Sequence, residues 1–206
     1  MDRSNIRKTV LLFAAGAAVG LAAFHDASAA DRIRVHGTVE SLDGETLKIK
    51  NTDGKDVTVT MKSGMNVLGV KSASAADIKP GDFVGIGSQP TSSGVNGAVQ
   101  VVIFPASMKG TGEGDRPWDV KPNGSMTNAT VANAVKDVNG PMLTLAYKGG
   151  QRKISIPDGT KIVALTPATK DDLKPGAGVS VQGVSSGENM VAADRLSVGL
   201  DGVTPP

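Results

Sequence analysis

Apolar and polar side chains alternate with a period of two from Arg32 to Glu40, with Val35 and Val39 on the apolar face. Such alternation predicts a β-strand that is buried on one face. Two Asp-Gly pairs, Asp43-Gly44 and Asp53-Gly54, then separate this segment from two further alternating segments. Because Asp-Gly between alternating segments favours tight hairpins, we predict a three-stranded antiparallel meander.

A short helical turn is predicted after the meander and a loose stretch through residues 67–70. Ser74 can cap the turn, with Asp77 three residues on as a variant of the capping box. Pro80-Gly81 ends the turn, because Pro cannot continue a helix and Gly accepts a positive φ. Two more strands, within 83–87 and 98–104, complete the unit.

The same order of elements recurs about 95 residues later, where 172–176 (Asp-Leu-Lys-Pro-Gly) repeats 77–81 (Asp-Ile-Lys-Pro-Gly). The recurrence predicts two units of five or six short strands, each interrupted by one helical turn. Small meanders bury their inner face by curling into a barrel, and a helical turn after the third strand favours the oligonucleotide/oligosaccharide-binding (OB) architecture over a sandwich. The predicted fold class is all-β, with two tandem OB-like barrels that each enclose their own Val/Ile/Leu interior.

These patterns divide the chain into five segments. The predicted boundaries are a signal peptide over 1–29, a first barrel over 30–104, a Gly/Pro-rich connector over 105–127, a second barrel over 128–199 and a C-terminal tail over 200–206.

The N-terminus has the three-part pattern of a secretory signal. Basic residues precede an apolar run from Val10 to Phe24, and small residues follow at 27–30. A membrane anchor is the alternative, but this run is shorter than the roughly 20 residues that span a bilayer. We therefore expect cleavage near Ala29 and a periplasmic or secreted protein with no transmembrane segment in its mature part.

Composition narrows the function classes. The chain has no cysteine, which excludes disulfides, thiolate catalysis and sulfur-ligated zinc. Its net charge of +2 and aromatic content of 3% argue against a nucleic-acid partner, which needs a basic groove and several stacking platforms.

The repeat resembles a bacterial exported family known as domain of unknown function 5666. The likeness rests on Gly37-Thr38-Val39, on the 43–47 turn, on the 77–82 segment with its second copy, and on the connector sequences 110–119 and 126–130. It covers nearly all of the mature chain. The resemblance implies export and this fold, and it implies no catalytic residues.

The connector contains the only tryptophan and a cluster of charges: Trp118, Arg116, Glu113, Asp115 and Asp119. One interpretation is structural, with the indole packed over a barrel end and the arginine paired to a carboxylate. The other is a binding site for a small ligand or glycan that stacks on the indole. A hydrolase that uses the connector acids needs two carboxylates held at a fixed separation on rigid elements. A glycine-rich loop is not expected to hold them in this way.

Three other patterns favour ordinary structural interpretations. His36 lies on the polar face of a strand and is expected to be solvated rather than a metal ligand. The 183–187 segment matches the nucleophile-elbow string but is followed by a strand, so we expect a hairpin loop. The 51–56 segment has oxygen ligands but no distal glutamate, so a hairpin turn is preferred to a calcium loop.

Together these inferences predict an exported, non-catalytic binding or structural module of the cell envelope, with no cofactor and no metal site. A periplasmic metal- or solute-binding accessory protein is the alternative, and a hydrolase is a more remote one. The partner is expected to be an envelope component or a small ligand.

Overall fold

The computed structural model describes residues 32–118, 120–137 and 140–206, with the backbone only at 136 and 137. The predicted signal peptide over 1–29 and Asp119 lie outside the described residues. Within them, no helix is long and apolar enough to cross a membrane.

The fold is all-β, as predicted, and the helical segments of the described residues are single 3₁₀ turns at Ala75–Asp77, Ala106–Met108 and Lys170–Asp172. The strands are β1 (Arg32–Asp43), β2 (Thr46–Asn51), β3 (Asp56–Thr60), β4 (Val67–Ser72), β5 (Phe83–Pro90), β6 (Asn96–Phe104), β7 (Gly114–Trp118), β8 (Gly124–Asp137), β9 (Gly140–Tyr147), β10 (Gly150–Ser155), β11 (Lys161–Ala168), β12 (Gly178–Gly187) and β13 (Met190–Gly199).

The strands form one sheet that closes twice on itself. Ring 1 consists of β1, β2, β3, β13 and β12 in that order around the ring, and the parallel pair β3–β13 and the antiparallel pair β12–β1 complete it. Ring 2 consists of β8, β9, β10, β6 and β5, with the parallel pair β10–β6 in the corresponding place. Each ring therefore contains three strands of one repeat and two of the other.

The two hydrophobic cores are mixed in the same way. In ring 1, Leu47 and Val59 of the first repeat pack with Leu196 of the second. In ring 2, Ile86 of the first repeat packs in one cluster with Leu143 of the second. Burial of these fully enclosed aliphatic side chains contributes about 1.5–3 kcal/mol each, so both interiors depend on both repeats.

The structure differs here from the expectation that each repeat encloses its own interior. The boundaries 30–104 and 128–199 separate the repeats but not the cores, because the repeats exchange their last two strands. Turn and cap signals are local and nearly identical in the two copies, so the last two strands of either copy suit either ring. The conformation of the segment that precedes these two strands decides which ring they join.

That segment is an extended strand rather than a loose stretch. After leaving its own ring, β4 lies between two strands: it pairs in parallel with β13 along Val67–Val70 and in antiparallel fashion with β11 along Val67–Ser72. Val70 and Leu165 occupy equivalent positions of the repeat and pair with each other, as expected of two units related by an approximate two-fold rotation. The crossing strands β4 and β11 therefore carry the chain between the rings.

The connector over 105–127 is also more regular than predicted. It contains β7, which pairs along the first residues of β8, and β8 itself begins at Gly124. The predicted Ser74 capping turn is confirmed, since the backbone N–H of Ser74 donates to Asp77 Oδ2 at 2.8 Å. The second repeat has the same contact, from the backbone N–H of Thr169 to Asp172 Oδ2. Hydrogen bonds from the Ser74 side chain and backbone lower the pKa of Asp77.

Candidate ligand-binding groove

An open groove of about 900 Å³ lies across the middle of the molecule. It extends from β8, β5 and β6 of ring 2, over the crossing strands, to β13, β12 and β1 of ring 1. The central pair Val70 and Leu165 lies along it. Its volume is within the range of about 300–1,000 Å³ that is typical of small-molecule sites.

Strand alternation decides which side chains face this groove. In β6, Val101 lies in the core of ring 2, so Gln100 points to the opposite face and lines the groove. In β13, Leu196 lies in the core of ring 1 and Arg195 lines the groove for the same reason. The groove thus uses the strand faces that the two cores leave free.

Arginine is concentrated in the groove. Of the five arginines among the described residues, Arg32, Arg34, Arg116 and Arg195 line it. No lysine, aspartate or glutamate of the described chain is among its lining residues. All four side chains belong to exposed residues, so their guanidinium groups reach solvent. The groove is therefore a cationic surface on a protein whose net charge is close to zero.

Two of these arginines also have partners within the protein. Arg32 forms an ion pair with Asp194, which adjoins the groove residue Arg195. Arg116 Nη1 donates to the carbonyl oxygen of Gly112 at 3.1 Å. A guanidinium has five N–H donors, so a single protein partner leaves donors free on each for a ligand.

Trp118 lies at the ring 2 end of the groove. Its six-membered ring sits directly over Gly87: a Cβ on that glycine would come within 2.7 Å of the indole Cη2 and within 2.8 Å of Cζ3. The indole is partly buried and lines the groove together with Phe104. The glycine therefore leaves room for the indole to pack closely against β5.

Two of the acids predicted alongside Trp118, Asp115 and Glu113, form hydrogen bonds outside the groove. Asp115 Oδ1 accepts hydrogen bonds from Ser125 and Thr127 at 2.5 and 2.7 Å, and its Oδ2 accepts from Arg152 at 2.5 Å. Partial burial acts to raise the pKa of Asp115, but these hydroxyl and guanidinium contacts outweigh it and lower the pKa. Asp115 thus fastens β7 to β8 and β10.

Glu113 makes a different contact, in which its Oε1 accepts from the backbone N–H of Lys148 at 3.0 Å. Arg116 and Trp118 line the groove, whereas Glu113 and Asp115 do not. The structure therefore brings two of the predicted site residues together and engages two acids in separate structural contacts. Asp119, the fifth, lies outside the described residues.

His36 is half-buried rather than solvated. Burial is the main cause that lowers its pKa, and the positive charges of Arg34 and Lys161 act in the same direction. A hydrogen bond with the backbone of Pro205 opposes them. Within the described part of the chain, no group of three or more acidic or histidine side chains could hold a metal ion.

The two remaining motifs have the predicted hairpin structures. Asn51 Oδ1 accepts from the backbone N–H groups of Asp53 and Lys55, so this oxygen closes the turn instead of facing a cation. The 183–187 segment continues β12 into the hairpin with β13, and Ser185 Oγ donates to the carbonyl oxygen of Gly187 at 3.4 Å.

Sequence reasoning missed most of the groove. Arg34 and Arg195 are far apart in the chain and belong to alternating strands, where a charged residue ordinarily marks a solvated face. The available signal was the use of arginine at 32, 34 and 195 beside many lysines elsewhere.

No family model, curated protein or solved structure matches this chain.

Proposed function

We propose that this chain is an exported, non-catalytic binding module that holds an anionic ligand in the groove between its two rings. The observation that supports this most directly is the set of four arginines, with no acidic side chain among the described lining residues. Guanidinium groups bind carboxylate, sulfate or phosphate oxygens through two parallel hydrogen bonds.

Each ring is proposed to be an OB-like barrel. The five-stranded closure and the 3₁₀ turn that precedes the last two strands support this assignment. Export to the periplasm, with cleavage near Ala29, is supported by the pattern of the first 30 residues and by the resemblance to the exported family of unknown function.

Binding has more support than catalysis. The acids proposed for a hydrolase are held in separate hydrogen bonds, Glu113 with Lys148 and Asp115 with Arg152. A cationic groove also favours an anionic solute over a metal ion. The accessory role suggested by the sequence is therefore retained in the form of an anionic-solute-binding protein.

A charge-matched pair of variants tests the proposal. Citrate, a simple polycarboxylate, is titrated calorimetrically into the purified protein, into the Arg34→Gln/Arg195→Gln variant and into the Lys79→Gln/Lys174→Gln variant. The lysines are exposed repeat counterparts outside the groove, and both variants lose two positive charges. We expect the arginine variant to bind at least about tenfold more weakly, because two charge-assisted hydrogen bonds are lost.

The lysine variant should bind like the unmodified protein. Equal losses in both variants would show non-specific charge attraction, and no measurable binding to the unmodified protein would overturn the proposal. Export is tested separately by expression in a Gram-negative host and by the mass of the protein in the periplasmic fraction. A cytoplasmic protein that retains residues 1–29 would contradict it.

A further inference from the structure

The two ends of the groove occupy equivalent positions of the repeat but differ in chemistry. At the ring 2 end the positions are small, apolar or neutral, and at the ring 1 end they are polar or cationic. The equivalent lining residues are Gly85 with Ser180, Gln100 with Arg195 and Val102 with Ser197, and Gly87, which lies beneath Trp118, is equivalent to the lining residue Gln182.

The ring 2 end presents two aromatic side chains, Trp118 and Phe104. Trp118 packs over Gly87, and the ring of Phe104 lies 3.0 Å from the Cβ position of Gly85, so both glycines make room for aromatic groups. Phe104 is itself supported by Phe83, whose ring centroid is 5.5 Å away. Aromatic rings held in this way have one face fixed and little freedom to lose on binding.

The ring 1 end presents hydrogen-bond donors. Arg34 and Arg195 come from β1 and β13, on either side of β12, which contributes Gln182 and the buried Ser180. The pairing places Arg34 opposite Gln182, which in turn lies opposite Arg195. These three side chains therefore form one row across the sheet, with a guanidinium at each end and an amide between them.

We propose, building on the anion-binding function above, that the ligand is an acidic saccharide. One sugar ring stacks its C–H face on Trp118, and carboxylates further along bind Arg34 and Arg195. The amide of Gln100, in ring 2, and the amide of Gln182, between the two arginines, hydrogen-bond hydroxyls of the saccharide. A saccharide fits this sequence of surfaces because it combines apolar ring faces with hydroxyls and, when acidic, with carboxylates at intervals.

Three ligands separate the contribution of the carboxylates to affinity from that of the sugar ring. They are trigalacturonate, its neutral methyl ester, and citrate, which has carboxylates but no sugar ring. Trigalacturonate should bind about two- to tenfold more tightly than citrate, because an aromatic contact contributes about 0.5–1.5 kcal/mol beyond the charged contacts. The methyl ester should lose most of the affinity of trigalacturonate. Citrate binding as tightly as trigalacturonate would overturn the saccharide inference.

Gly87→Ala tests the aromatic end without touching a ligand-facing side chain. Gly87 does not have a positive φ, so the substitution acts through its methyl group, which displaces the indole. Trigalacturonate should bind about two- to tenfold more weakly to this variant, and citrate should bind as before. Gly150→Ala is the matched control, since its Cβ would lie 3.6 Å from Tyr147 Oη, an ordinary contact distance.

Trp118→Ala provides a second variant, in case the alanine at 87 disturbs folding. Unchanged trigalacturonate affinity in a folded Trp118→Ala protein would overturn the inference while leaving anion binding intact. Loss of citrate binding in Arg34→Gln/Arg195→Gln, together with trigalacturonate no tighter than citrate, would support the proposed function and reject the saccharide. No binding of either ligand would reject both.

Discussion

The ring 1 and ring 2 halves of the molecule are copies of one plan that have diverged at their outer faces. Their inner positions remain aliphatic, as in Ile86 and its repeat counterpart Val181. The outer neighbours of these residues differ, with Gly87 under an indole in one half and Gln182 between two arginines in the other. The comparison shows that the two halves have similar core positions, whereas the positions on the groove side of the same strands differ in size and charge.

A second contrast concerns the bulge that each half has in the hairpin of its exchanged strands. The register shifts at Ser88 in β5 and at the equivalent Gly183 in β12. Ser88 is fully buried and its Oγ has no hydrogen-bond partner among the described residues, whereas a Cβ at Gly183 would come within 2.1 Å of the carbonyl oxygen of Ala192. The two bulges are therefore packed differently and should tolerate substitution differently.

Substitutions at Gly183 and Ser88 should show the largest difference between the two halves. We expect Gly183→Ser to lower the free energy of unfolding by about 3 kcal/mol, because its Cβ collides with backbone that cannot move without breaking the hairpin. Ser88→Ala should leave stability unchanged or raise it by up to about 1 kcal/mol, because it removes an unpaired buried hydroxyl. Urea denaturation measures both, and equal effects would contradict the contrast.

Loss of the carboxylate that fastens β7 should have the next largest effect. Asp115→Asn is expected to lower the free energy of unfolding by about 2 kcal/mol at neutral pH, because it weakens the charge-assisted bond to Arg152. Asp158→Asn, in an exposed turn, is the control and should change little.

The pH dependence of this loss of stability follows from the direction in which the pKa of Asp115 is shifted. The pKa of Asp115 is lowered in the folded protein, so its contribution is present above its ordinary value near 4 and disappears as pH falls through the lowered value. The difference in stability between the unmodified protein and Asp115→Asn should therefore shrink in acid. A difference that grew in acid would contradict the assigned contacts.

A smaller effect should distinguish the two halves by titration. His36 has a pKa below its ordinary value of 6.5, and its repeat counterpart Ala132 does not titrate. The unfolded chain binds a proton on His36 more readily than the folded protein, so stability should decrease as pH falls from about 7 through the lowered pKa. His36→Gln should flatten that slope in denaturation curves measured between pH 7.5 and 5.5, and an unaltered slope would contradict the assignment.

Much of the local structure could be predicted from the sequence. The alternation from Arg32 to Glu40, the Asp-Gly turns and the Ser74–Asp77 cap are all found in the structure, because each depends on residues that are close in the chain. The all-β class followed from the same signals. These features need no knowledge of which distant strand becomes a neighbour.

The exchange of strands could not be predicted in this way. The sequence shows that β5 and β6 follow β4, but the choice between the two rings depends on whether β4 turns back or continues into its pairing with β11. The groove depends on that choice, because Arg34 and Arg195 become neighbours of Gln182 only when β12 and β13 join β1. Trp118 is a candidate because it is the only tryptophan, and Arg116 because it belongs to a cluster of charges. Neither signal indicates which surface the residue faces.

The groove depends on strand exchange, since it lies across strands that the two repeats exchange. Thr58 of β3 lies beside Met190 of β13 in the structure, and without the exchange its neighbour would be Val95, the repeat counterpart of Met190. Because the chain has no cysteine, the double variants Thr58→Cys/Met190→Cys and Thr58→Cys/Val95→Cys report these alternatives without background. We expect mass spectrometry of the oxidised monomer to show a disulfide in the first variant only, and a disulfide in the second variant only would contradict the exchanged fold.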